Sequence, residues 1–374
     1  MATTTGRFYS LDVFRGLAIA TMLFLDAPPD KIYSILEHAE WAGFTVPDAP
    51  LPIFAFAMGA GAAISMSKRE PSARRILTRA AIMFAVGLFI FFTWKIFELI
   101  FVSGFTFENF YDLVIVHGRL FGIIQRLAVT YAAAIFIARA LRSDTKILIA
   151  AFVLLILSTA GFYIYSPVNP YDEAHNISRA VDYIFPGANH IYTPTHDPEG
   201  LYGAIAGTSS VLFGFLAGRI LIDSSSMRDK ILKLIAGGII LLIIGGLWSN
   251  LDIVSKKLWT SSYTLLNAGG DAILLALLTK LFDCVPSAEK FFRPLKALGT
   301  NPLFFFTANC LVLIVLTFVP SPTEGLGIYM WLFENTTKEF ISTEFGATLF
   351  CVIWFTLWLP IAEFFYRRGI VIKI

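Results

Sequence analysis

The run Leu36-Glu37-His38-Ala39-Glu40-Trp41-Ala42-Gly43-Phe44-Thr45-Val46-Pro47-Asp48 gathers an imidazole, carboxylates and an indole beside an apolar segment. Histidine is the side chain best suited to proton transfer near neutral pH and can also act as a nucleophile, which makes His38 a candidate. A lone loop histidine is more often a surface or packing residue, and the run by itself does not choose between these readings. His117, His175, His190 and His196 show no HExxH spacing, and no metal site is expected. Ionisable groups inside apolar segments are more telling. Each costs roughly 2.5–3.5 kcal/mol in hydrocarbon and usually faces a bundle interior or a wet cavity. In Gly118-Arg119-Leu120-Phe121-Gly122-Ile123-Ile124-Gln125-Arg126, helical spacing puts Gly118, Gly122, Gln125 and Arg126 on one face. Arg126 then either meets a polar ligand or pairs with a buried carboxylate such as Asp271. Asp12 and Arg15, three residues apart, either form a local ion pair or offer Arg15 to an anionic ligand in a cytoplasmic vestibule.

The elements that must hold these residues are built for lipid. Of 374 residues, 56% are hydrophobic and 15% charged, with a mean hydropathy of +0.70, so apolar surface exceeds what one soluble core would bury. Segments long enough to cross a bilayer lie near 9–27, 49–67, 76–98, 118–141, 146–165, 200–222, 231–250, 261–282, 298–319 and 344–366. The expected fold is an all-α polytopic bundle of about ten transmembrane helices, forming a single domain over 1–374. The first segment contains Asp12 and Arg15 and lacks a small-residue cleavage site, so it reads as a retained span.

Charge placement sets the orientation. Lys and Arg total 29 against 27 Asp and Glu, too balanced to indicate a nucleic-acid partner. On one side of the expected spans lie 19 Lys and Arg, and on the other only Lys31, Lys95, Arg179, Lys256, Lys257 and Lys338. The positive-inside rule therefore puts both termini in the cytoplasm and His38 on the outer face. Outer loops 28–48 and 166–200 carry the informative polar residues, while the basic inner loops are too short for a catalytic domain. Cys284, Cys310 and Cys351 have no paired spacing and read as packing residues. The G-x-x-x-G spacings Gly118/Gly122 and Gly214/Gly218 suit either packing within the chain or a homodimer.

Six strings occur in the same order as in one membrane family: SLDVFRGLAIATMLF (10–24), HAEWAGFTVPDAPLPIFAFAMG (38–59), GRLFGIIQRLAVTY (118–131), HDPEGLYGAIAG (196–207), KKLWTSSYTLL (256–266) and LGTNPLFFF (298–306). On these the chain resembles the heparan-α-glucosaminide N-acetyltransferase family, in its short bacterial form. The opening LDxxRG element is shared more widely among transmembrane acyltransferases; the histidine-tryptophan run, GIIQR, DPEG and LWTSSY carry the specificity. The resemblance implies transfer of acetyl from cytosolic acetyl-CoA to the amino group of a glucosamine-type sugar across a bacterial inner membrane. It also implies that His38 is the functional histidine. Where members of the family carry Asn, this chain has Asp26. A carboxylate there can orient His38 by ion pairing, whereas an amide only hydrogen-bonds.

On this reading His38 and Asp26 are the catalytic candidates. Arg15, Gln125, Arg126 and Asn301 are candidate contacts for CoA, and Asp48, Asp197, Glu199, Trp259 and Ser262 for the sugar. His38 serves as general base for direct attack, or takes the acetyl group first and passes it on; the residues leave both routes open. Asp197-Pro198-Glu199-Gly200 also suits a turn and helix start. Two other classes fit the same chain. An O-acyltransferase acting on an envelope glycan shares the architecture, and a sugar transporter would also keep Arg126, although no paired discontinuous helices are seen.

Overall fold

The computed structural model describes residues 8–26, 28–283 and 289–372, so Cys284 and Arg7 lie outside the described residues. Among the described residues, ten helices of 17 residues or more overlap the ten apolar segments. They are α1 Tyr9–Leu25, α2 Pro50–Lys68, α3 Ala73–Glu98, α4 Ile123–Leu141, α5 Asp144–Tyr165, α6 Ala204–Ile222, α7 Met227–Trp248, α8 Ser261–Leu278, α9 Pro302–Phe318 and α10 Thr343–Arg367. Shorter helices, including Glu289–Thr300, fill some connections. Among the described residues eight helices are long and apolar enough to cross a membrane, or nine spans if α9 and the helix before it, bent by 87°, count as one. The expected ten includes α1, whose 17 residues sit at the short limit for a span. The chain is an all-helical, multi-pass membrane protein.

The fourth expected span starts later than its hydropathy indicates. Residues 118–122 are not helical, and α4 begins at Ile123. Leu120 donates its backbone N–H to the carbonyl of His190 at 3.2 Å, which ties the segment to the 166–203 connection. Gly122 is extended, and a Cβ there would lie 2.4 Å from the Phe91 ring. Gly118 and Gly122 therefore do not share a helical face with Gln125 and Arg126. Arg119 leaves the span, and Arg126 sits in the first turn of α4.

Lipid offers helices no hydrophobic reason to associate, so close backbone contact supplies much of the attraction. The α2–α6 pair shows this most clearly. A Cβ on Gly214 would lie 2.0 Å from the Phe56 carbonyl oxygen, on Gly218 2.5 Å from that of Ala60, and on Gly59 1.9 Å from that of Val211. The Gly214/Gly218 spacing is thus spent inside the chain. Likewise α1 lies against Glu289–Thr300, where Gly16 abuts the Leu295 carbonyl and Gly299 that of Asp12.

These contacts leave two unlike ends. At one, connections 26–49, 99–122, 166–203 and 249–260 fold over the bundle and touch one another. At the other, short connections are crossed by ion pairs Arg139–Glu70, Arg219–Asp144 and Arg293–Glu363. Replacing Gly214 with Leu drives a side chain into the α2 backbone, so the thermal midpoint of purified protein should fall by the equivalent of about 1–3 kcal/mol or more. Leu at Gly237, which has open space around its Cβ position, should leave that midpoint unchanged.

Candidate active site

The site begins with a local turn. Thr45-Val46-Pro47-Asp48 forms a capping box ahead of α2: Asp48 Oδ2 accepts from the Thr45 backbone N–H at 3.0 Å and its hydroxyl at 2.9 Å. Pro47 and Pro50 suit this entry because each occupies a first-turn position with no N–H to satisfy. With Oδ2 committed, Oδ1 points at His38 Nδ1, 2.7 Å away. Asp48 is 1% exposed and His38 52%. An ionised carboxylate only accepts, so the hydrogen bond puts the proton on Nδ1 and leaves the lone pair on Nε2.

Two other connections and α8 fix this pair in place. Gly43 donates to the Val254 carbonyl at 2.8 Å, and its φ of +122° is one that glycine adopts without penalty. Trp41 Nε1 donates to the Tyr171 carbonyl at 2.9 Å, with its ring edge-on to His196 at 5.1 Å. The Tyr263 hydroxyl donates to the Asp48 carbonyl at 2.6 Å. Asp252 accepts from the backbone N–H groups of Ser261 and Ser262 at 3.0 Å each, and so anchors the 249–260 connection to the start of α8. That anchoring brings Lys256 Nζ to 3.1 Å from His38 Nδ1, 3.4 Å from Nε2 and 3.7 Å from Asp48 Oδ1.

A cavity of about 480 Å³ opens beside His38 and runs down between α3, α4 and α9, reaching Gly87, Gln125 and Phe306. Gly87 lies eleven residues before the end of α3, roughly 16 Å of helix below it. Its missing side chain makes room for Gln125, whose Oε1 would stand 2.2 Å from a Cβ. Gln125 is 1% exposed and its Nε2 has no protein partner. Asp26 also lines the cavity, with its carboxylate accepting from Asn309 Nδ2 at 3.1 Å. The hydrogen bond to His38 comes from Asp48, the residue the sequence reading gave to the sugar, rather than from Asp26.

The far wall is a charged triplet. Arg119 Nη2 donates to Asp197 Oδ1 and Glu199 Oε2, both at 2.6 Å, and Nε donates to Asp197 Oδ2 at 3.2 Å. Its guanidinium also packs over Tyr192, 4.6 Å from the ring centre. Burial works against the Arg119 charge, but Glu199 and Asp197 more than offset it. Burial likewise raises the Glu199 carboxyl, and the Arg119, Arg126 and Lys256 charges reverse this, holding it below the usual range.

Other expected site residues stand apart from the cavity. Arg126, 2% exposed, donates to the Gly200 carbonyl at 2.8 Å and lies over Trp259; it forms no ion pair with Asp271 among the described residues. Trp259 is 1% exposed, and Ser262 is fully buried and donates to the Ile253 carbonyl at 2.9 Å. Arg15 lies toward the opposite end, 3.7 Å from Asp12 Oδ1 and 3.5 Å from the Ala57 carbonyl. Asn301 holds the C-terminal segment, bonding Ile370 and Ile372 at 2.8 Å each. Sequence reasoning passed over Arg119 and Lys256. Their available signals were adjacency to the GIIQR and LWTSSY strings.

Behind the triplet, Asp182 accepts from the Leu201 N–H at 2.8 Å, while its other oxygen has no partner. Burial pushes its carboxyl up to about 7, from 3.8 in an exposed chain. Between these values the folded protein keeps a proton that the unfolded chain has lost, so this residue's contribution to stability declines as pH rises toward 7. Asp182→Asn retains the acceptor and removes the charge. The gain in thermal midpoint should accordingly be larger at pH 8 than at pH 5; equal gains would contradict a buried, titrating carboxyl.

No family model matches the chain. The heparan-alpha-glucosaminide N-acetyltransferase of Homo sapiens is 24% identical over 430 aligned positions, covering 98% of this chain and 60% of that protein. That of Mus musculus is also 24% identical, over 437 positions covering 100% and 61%. The chain spans about three-fifths of the length of these curated relatives. From one end to the other, it is similar to the heparan-alpha-glucosaminide N-acetyltransferases.

Proposed function

We propose that this protein is a transmembrane acetyltransferase that moves an acetyl group from cytosolic acetyl-CoA to the amino group of an extracytoplasmic, glucosamine-type sugar, in the plasma membrane of a bacterial cell. The observation that carries this reading is the His38–Asp48 pair at the head of a cavity that descends to the middle of the bundle. An outer compartment supplies no acetyl-CoA, so an outward-facing histidine is useful only if the thioester reaches it through the helices. The orientation rests on the excess of Lys and Arg at the other end.

In this scheme the anionic nucleotide of CoA meets the basic end, where Arg15 and Asn301 lie. Its thioester arm occupies the cavity. Gln125 offers its unpartnered Nε2 to a carbonyl of that arm, and Arg126 holds the Gly200 turn that presents Glu199. Glu199 and Asp26 present carboxylates to the acceptor, whose amine attacks as its free base and sheds a proton as the C–N bond forms. Asp48 orients the ring and stabilises the imidazolium that forms when Nε2 takes that proton. The amine attacks the thioester directly, or Nε2 first carries the acetyl group.

The test uses purified protein in sealed vesicles, with acetyl-CoA at the basic face and glucosamine at the other. Acetylglucosamine should form only with this arrangement, and His38→Ala should lower turnover by at least about 10²–10⁴-fold. Near-normal turnover of a folded His38→Ala protein would defeat the reading. N-acetylglucosamine should not serve as acceptor; its acetylation would instead mark an O-acyltransferase. Acid quenching without acceptor should trap acetyl on His38 if the group passes through the ring.

A further inference from the structure

Lys256 is the cation nearest the reactive nitrogen, and the scheme above leaves it unused. It reaches His38 from a different connection, 249–260, held by the Asp252 cap and the Gly43–Val254 hydrogen bond. Its side chain is 16% exposed and lines the cavity. If its only task were to neutralise Asp48, the nearest approach would be to that carboxylate. Instead Nζ lies against the imidazole, 3.1 Å from Nδ1 and 3.4 Å from Nε2, and 3.7 Å from Asp48 Oδ1. Nδ1–H donates to Asp48, so Nε2 is the ring atom that can accept from the ammonium. An ammonium offers three donors, and a neutral Nε2 at that range engages at most one of them. The remaining N–H groups adjoin the place where chemistry at Nε2 must occur.

We propose that Lys256 is a catalytic residue that stabilises the oxyanion formed at the thioester carbonyl. The proposal rests on the acetyltransferase reading and names the group that receives the developing charge. When the amine nitrogen adds to the carbonyl carbon, a C–N bond forms and the carbonyl electron pair moves to oxygen. His38 Nε2 takes the amine proton. As the C=O bond re-forms the C–S bond breaks, and the departing thiolate takes that proton as free CoA. Nitrogen and oxygen are neighbours on one tetrahedral carbon, as Nε2 and Nζ are neighbours in the site. One geometry therefore serves proton removal and charge stabilisation together. If Nε2 attacks first, an Nε2–acetyl bond forms as the C–S bond breaks and CoA leaves as thiolate; the amine then displaces the ring, its proton passing to that thiolate, and in both additions the same oxygen meets the same ammonium.

His38, Asp48, Glu199, Asp26 and Arg126 are the ionisable groups acting on Lys256 from the surrounding elements. Burial pulls its ammonium below the ordinary lysine range, and Glu199, Asp48 and Asp26 only partly oppose this. The charge is therefore lost as pH rises through that lowered value, and turnover should fall with it.

The experiment compares unmodified protein, Lys256→Met and Lys256→Arg, each purified as the full chain, by kcat, KM for acetyl-CoA and glucosamine, thermal midpoint, and the alkaline limb of kcat. Lys256→Met should lose about 10²–10³-fold in kcat, with both KM values and the midpoint little changed. Lys256→Arg should recover part of that loss. Its alkaline limb should lie at higher pH than that of unmodified protein, because a guanidinium keeps its charge there. Unchanged kcat in Lys256→Met, or a loss found entirely in KM, would overturn the proposal. Should Lys256→Met not fold, coinciding alkaline limbs in Lys256→Arg and unmodified protein would do the same. Unmodified protein that transfers no acetyl would sink the acetyltransferase reading and this one with it, whereas transfer unaffected by Lys256 would sink this one alone.

Discussion

The carboxylate of Asp48 joins the parts on which the site depends. One oxygen closes the turn that starts α2 and the other grips His38, while Tyr263 from α8 holds the carbonyl of the same residue. A buried carboxylate with these partners leaves little freedom to the connection between α1 and α2, because losing one of them would strand charge away from water. His38 is therefore more than half exposed yet held from below.

Hydrocarbon as solvent explains why so much polarity meets at one end. Backbone groups are satisfied within helices, and helices associate where glycines let them touch, as α2 and α6 do at Gly59, Gly214 and Gly218. The connections are then the places where charges can accumulate without crossing lipid. Arg119, Asp197, Glu199, Lys256, Asp48 and His38 all come from connections or the first turn beside them. Two of the most buried polar groups work differently. Arg126 supports the Gly200 turn, and Gln125 lines the cavity with its Nε2 unpaired by protein groups.

Similarity at 24% identity to heparan-alpha-glucosaminide N-acetyltransferases extends along the whole chain but over only three-fifths of the relatives. The histidine-tryptophan run, GIIQR, DPEG and LWTSSY lie far apart in the sequence. The structure explains why strings so far apart belong together. They converge around His38: the first supplies His38 and Asp48, the second Gln125, the third Glu199, and the last follows Lys256 and Lys257.

Hydropathy alone determined the helical class and the location of all ten long helices, because burying apolar length in lipid is a property of each segment by itself. Residue chemistry made His38 a candidate without choosing it over a packing role. Helix boundaries near glycine were less legible: the start of α4 depends on Leu120 bonding to His190, a contact between segments 70 residues apart. Tertiary structure also decided which carboxylate holds His38, since Asp26 and Asp48 are both acidic residues flanking the same connection. Only the folding of the 249–260 connection over the first one brought Lys256 to the imidazole. Such pairings depend on distances set by several helices at once, and no local pattern in the chain encodes them.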